Sequence, residues 1–132
     1  HLVLATLHTP DAPQTIERII DVFPPYQQQQ VRLQLAAALQ GVVSQQLVSR
    51  ASGKGRILAA EVMIATPGVR NMVRERQTEQ ICTAIQTGAA FGMKTMDKSL
   101  KDLCEQKLIT YEVALSHARN IEEFKSMMNI KK

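Results

Sequence analysis

The chain has 132 residues, 45% hydrophobic, 21% charged and without Trp, which suits one globular domain with an aliphatic, Met-rich core and excludes a disordered or collagen-like chain. Its two cysteines, Cys82 and Cys104, have neither redox-pair nor metal-site spacing and read as reduced, intracellular thiols; no apolar run of 18 residues and no signal or lipidation sequence is present. Nearly all of the +4 net charge lies in residues 42–76, where Arg50, Lys54, Arg56, Arg70, Arg74 and Arg76 face only Glu61 and Glu75, but no aromatic there could stack on bases, so a solvated or protein-facing surface fits better than a nucleic-acid site.

His1-Leu2-Val3-Leu4-Ala5-Thr6-Leu7-His8-Thr9 is too short for a buried helix and reads as a strand. Alternation puts Leu2, Leu4, Thr6 and His8 on one face and His1, Val3, Ala5, Leu7 and Thr9 on the other. Both faces are mostly apolar, as in a strand covered by helices on two sides. His8 and Thr9 then stand at its carboxyl end, where open α/β sheets hold ligands. The competing reading of His8 is a hydrogen-bonded core histidine. Either Thr9 with Pro10 or Asp11 with Gln14 starts the next helix, in which Ile16, Ile19, Ile20 and Phe23 share a face and which Pro24-Pro25 ends. An amino end placed just after His8 is a candidate anion site.

Gln27 to Gln40 reads as a second helix with Val31, Leu35 and Leu39 inward. Ser44–Arg50 and Arg56–Ile64 read as two strands of a hairpin joined by Ala51-Ser52-Gly53-Lys54-Gly55. The Gly-Lys in that turn lacks the GxxxxGK[ST] spacing of a phosphate-binding loop and precedes a strand instead of a helix. Thr66-Pro67 starts a helix with Val69, Met72 and Val73 inward; Arg70 and Arg74, four apart, share the opposite face and are expected to point away from the core. The remainder reads as helical: a short helix marked by Ile81 and Ile85 and closed near Gly88, a loop over Ala89–Lys94, helices starting at Thr95 and Thr110, and a last helix opened by an Asn120/Glu123 capping box. His117 reads as a surface residue and Ile130-Lys131-Lys132 as a frayed end.

The opening nonamer resembles the His box, Gly-His-Leu-Val-Leu-Ala-Thr-Leu-His-Thr, of the secretion and type IV pilus motor ATPases, lacking only the leading Gly. The likeness continues through Thr15–Pro25, through Gln34–Leu47 and through Gln86-Thr87-Gly88 with Gly92–Asp97. Most specific is Gly68-Val69-Arg70-Asn71-Met72-Val73-Arg74-Glu75, which is similar to the AIRNLIRE motif of the pilus-retraction branch. Pilus-assembly and type II secretion relatives carry a four-cysteine zinc module where the short turn 51–55 stands here, which favours the retraction branch over theirs. Pro10 stands where the family usually has Asn and cannot donate that backbone hydrogen bond.

The resemblance implies an α/β fold: the C-terminal part of a RecA-like ATPase domain over residues 1–65 and a helical subdomain over 66–132. It implies a piece of a larger, hexameric, cytoplasmic ATPase that acts at the inner face of the membrane without being embedded in it. Its partners would be its own copies and a platform protein of the pilus machine, not nucleic acid. ATP and Mg²⁺ would be held largely by residues outside this chain, so residues 1–132 alone are expected to be inactive. By the family's pattern His8 senses the γ-phosphate, His1 supports the site, Thr9 contacts nucleotide, and Arg70, Asn71, Arg74 and Glu75 couple nucleotide state to motion.

Overall fold

Asp11, and not Thr9, starts the first helix. In a computed structural model, which describes residues 1–129, Asp11 Oδ1 accepts the Gln14 N–H at 2.8 Å and α1 runs Ala12–Asp21. The end expected to fray, residues 130–132, lies outside the described residues. α2 spans Pro25–Ala38 and so begins two residues before Gln27, since Pro25 takes the first helical position, where its missing N–H costs nothing. β1 (Gly41–Ser49) and β2 (Arg56–Ile64) form an antiparallel pair in register from Gly41↔Ile64 to Ser49↔Arg56. β1 therefore starts three residues before Ser44 and stops one short of Arg50. Gly53 and Gly55 in the connecting turn both have φ +76°, a conformation that side chains disfavour.

α3 (Pro67–Arg74), α4 (Ile81–Thr87), α5 (Met96–Glu105), α6 (Tyr111–His117) and α7 (Ile121–Asn129) follow, with 3₁₀ turns at Thr78–Gln80 and, inside the expected loop, at Ala89–Phe91. Thr66, Thr95 and Thr110 cap their helices by accepting the N–H groups of Val69, Lys98 and Val113, and Asn120 accepts that of Glu123. Only half of the last capping box forms, because the Asn120 N–H goes to Asp97 Oδ2, and the Glu123 carboxylate takes a hydrogen bond from Gln86.

The apolar residues form two clusters on one face of the hairpin, one toward its open end and one toward its turn. Ala12, Ile16 and Ile20 of α1 meet Ala36 of α2, Met63 of β2, and Val69, Val73, Ile81 and Ile85 of α3 and α4. Val48 and Ala59 of the two strands meet Met96, Leu100, Ile109, Ala114 and Phe124 of the tail. Each large aliphatic or aromatic side chain buried in this way stabilises the fold by roughly 1.5–3 kcal/mol. His117, expected at the surface, is half-buried, with Nδ1 3.2 Å from Gln46 Oε1 on β1.

Residues 1–9 form no strand. Leu2, Val3 and Leu4 are exposed, Leu4 to 89%. A strand exists only when its N–H and C=O groups are paired with another. Among the described residues β1 and β2 pair with each other and β2 makes one further bridge, Val62 to Lys94, so nothing reaches the opening segment. Among the described residues no helix is long and apolar enough to cross a membrane.

Candidate functional site

His8 is exposed, and Thr9 beside it is tied to α1. Thr9 Oγ1 lies 2.6 Å from Thr15 Oγ1, and the Thr15 hydroxyl donates to the Asp11 carbonyl at 2.7 Å. His1 is exposed at the far end of the same segment.

The amino end of α1 is not an anion site. Its first N–H groups already belong to two carboxylates: Asp11 holds that of Gln14, and Glu61 Oε1 accepts that of Ala12 at 3.0 Å. A phosphate placed there would meet two negative charges. Glu61 comes from β2, where the period-2 alternation of Ala59, Glu61 and Met63 turns it inward, and it is 5% exposed. Burial raises its carboxyl above the ordinary value; the N–H groups of Ala12 and Met96 and the charge of Arg119 oppose that, while Asp11 adds to it. Arg119 stands in the turn between α6 and α7. Its Nη1 meets Asp11 Oδ2 at 2.7 Å, and its backbone N–H is held by Asp97 Oδ1 at 2.8 Å, with Asp97 Oδ2 taking the Asn120 N–H at 3.2 Å. The segment after His8 is thus fastened from both the hairpin and the tail.

The second candidate site is α3. Arg70 does not project away from the fold as its helical face suggests. Its Nη1 donates to the carbonyls of Ala36, at 2.8 Å, and Ala37, at 3.0 Å, in the last turn of α2. Those carbonyls have no partner inside their helix, and a cation there also complements the helix dipole. Arg32 of α2 reaches back to the Val73 carbonyl at 3.3 Å, so α2 and α3 lie antiparallel and exchange arginines. Arg32 is buried against Glu17 of α1 in a two-pronged ion pair, 3.2 and 3.3 Å, and Thr78 donates to the same carboxylate at 2.9 Å. Burial works against the charge of Glu17, but the hydrogen bonds from Arg32 and Thr78, with the charges of Arg32 and Arg76, hold its carboxyl below the ordinary value. Arg74 is half-buried and makes no ion pair or side-chain hydrogen bond among the described residues; Asn71 and Glu75 are exposed. The two arginines of the motif therefore have different surroundings.

The two candidate sites border different cavities. Thr9 lines one of about 470 Å³ with Gln14, Glu17, Arg18, Asp21 and Val22 of α1. The opposite side of α3 lines one of about 520 Å³ through Thr66, Gly68, Val69 and Met72, facing α4 and Phe91. They share no lining residue.

The residues that carry the expected likeness, His1–Thr9 before α1 and Gly68–Glu75 on α3, thus stand at two separate places in the fold. The chain belongs to the Type II/IV secretion system protein family, which it matches over residues 1–99. It is 47% identical over 122 residues to the "Twitching motility protein" of Neisseria gonorrhoeae, covering 92% of this chain and 33% of that protein. It is 46% identical over 124 residues to the type IV pilus retraction ATPase PilT of Pseudomonas aeruginosa, covering 94% and 36%. Among solved structures it is similar to the pilus retraction motor PilT with bound ADP, at 41% identity and a TM-score of 0.83, over 96% of this chain and 35% of that one. The expected likeness to the retraction branch holds, and so does the expected fold, part of a RecA-like ATPase domain with a helical tail, except that the opening segment forms no strand. The chain spans about a third of the length of the curated relatives it matches.

Proposed function

We propose that this chain is the C-terminal portion of a hexameric motor ATPase that hydrolyses ATP to drive type IV pilus retraction, and with it twitching motility. The observation that carries the reading is the likeness, along nearly the whole chain, to a retraction motor that binds ADP. On this reading His8, exposed at the end of the opening segment, faces the γ-phosphate, and His1 supports the site. Thr9, its hydroxyl engaged by Thr15, contacts nucleotide through its backbone. ATP and Mg²⁺ are held mainly by residues of the parent protein outside this chain, and residues 1–132 alone are inactive. Residues 1–65 complete the ATPase core, and residues 66–132 act as the helical subdomain.

The motor works in the cytoplasm as a ring of its own copies, docked on a platform protein at the inner membrane without entering it. Arg74, Asn71 and Glu75 on the open side of α3 transmit nucleotide state to that neighbourhood, while Arg70 fixes α3 on α2. The full-length protein, purified and given Mg-ATP, is expected to release phosphate steadily. The same gene is expected to restore twitching to cells lacking their own retraction motor. An active ATPase that extends pili without restoring retraction would place it in the assembly branch instead, and absence of hydrolysis would overturn the reading.

A further inference from the structure

Two carboxylates converge on the first turn of α1, one of them on a side chain only 5% exposed, and one guanidinium stands between them and the tail. Asp11 spends Oδ1 on the Gln14 N–H and Oδ2 on Arg119, while Glu61 holds the Ala12 N–H. Asp11 and Glu61 repel each other, and the charge of Arg119 acts against that repulsion. Arg119 is itself fixed, because Asp97 on the first turn of α5 holds its backbone N–H. The contact joins residues 108 positions apart, and it lies two residues from Thr9 and three from His8.

We infer that Arg119 is a positioning residue for the His8–Thr9 segment: its ion pair with Asp11, beside the buried Glu61, fixes where α1 begins and so where His8 points. Removing the guanidinium leaves two carboxylates facing each other across the first turn of α1, one unable to escape into water. Asp11 then keeps only its bonds to Gln14, so the tail no longer holds that turn, and the chain carries its movement to Thr9 through the Thr9–Thr15 and Thr15–Asp11 hydrogen bonds. The tail thereby acts on the candidate phosphate site without touching nucleotide. This inference rests on the reading of His8 as a phosphate-facing group.

The test uses the full-length protein and the variants Arg119→Ala and Arg119→Lys, with two readouts. The first is amide hydrogen exchange over residues 8–15; the second is steady-state ATP hydrolysis. Arg119→Ala is expected to speed exchange in that segment. It should also lower kcat on the order of tenfold or more, as a small misplacement of a reacting group does, while KM stays within about twofold. Arg119→Lys, which keeps the charge, should recover most of both. A merely structural arginine would lower the melting temperature with kcat unchanged; that result, or unaltered exchange in a folded Arg119→Ala protein, would overturn the inference. If the wild-type protein shows no ATP hydrolysis, faster exchange in Arg119→Ala still upholds the positioning of the segment and only the phosphate-site reading fails.

Discussion

Arg70→Ala and Arg74→Ala, made separately, distinguish a clamp from a contact. Arg70 gives two N–H···O bonds, at 2.8 and 3.0 Å, to the last-turn carbonyls of α2, and its loss leaves those carbonyls to water and α3 unfastened. A hydrogen bond to a charged group is worth about 1.5–3 kcal/mol net when well sheltered. Arg70 is half-exposed, so solvent screening brings the pair to roughly 1–2 kcal/mol in total. For a chain of this size that is a fall in melting temperature of roughly 3–10 °C. Arg74, with no such bond, should cost less than about 0.5 kcal/mol. Thermal unfolding followed by circular dichroism reads both, and hydrogen exchange at the carboxyl end of α2 should quicken for Arg70→Ala alone. In cells carrying the full-length protein, Arg74→Ala should stop retraction with the melting point unchanged. Equal melting points for the two variants, or a larger loss for Arg74→Ala, would refute the division of roles.

Glu61→Gln keeps an oxygen for the Ala12 N–H and removes the charge. Because burial raises the Glu61 carboxyl above its unfolded value, its ionisation opposes folding as pH rises through the folded value. Glu61→Gln should therefore be neutral to stabilising at pH 7, and its difference from wild type should shrink toward zero below about pH 4.5; a variant clearly less stable at pH 7 would contradict this. Glu17 has the opposite sign: its lowered carboxyl supports the fold above its unfolded value and loses that support as the solution is acidified, so Glu17→Gln should flatten the acid limb of a melting-temperature profile. Gly88→Ala would place a Cβ 2.8 Å from both the Ala84 carbonyl and Met93 Cε, and should cost about 1–3 kcal/mol by urea denaturation; an unchanged midpoint would show that α4 and Met93 yield freely.

The helix starts were legible because their signals are local. Thr66, Thr95, Thr110 and Asn120 each stand three residues before the N–H they cap, a spacing visible in any sequence. The hairpin was legible from two apolar runs about a Gly-rich turn. The opening strand was not, because a strand is a property of a pair and no partner for residues 1–9 lies among the described residues. The Arg70 clamp was not, because helical periodicity says which face a side chain leaves from but not that α2 ends beneath it, 34 residues away. Glu61 carries a local signal of its own: a lone acid at an inward position of a strand between Ala59 and Met63 needs a donor. Arg119 carried none, since its partner lies 108 residues away.

The most direct measurement is turnover against nucleotide affinity in His8→Ala of the full-length protein. If the exposed imidazole at the head of α1 acts on the γ-phosphate, kcat should fall on the order of 10²–10³ while the dissociation constant for a non-hydrolysable ATP analogue changes little. A fall in turnover of less than about tenfold, or a loss of affinity in step with it, would contradict that role.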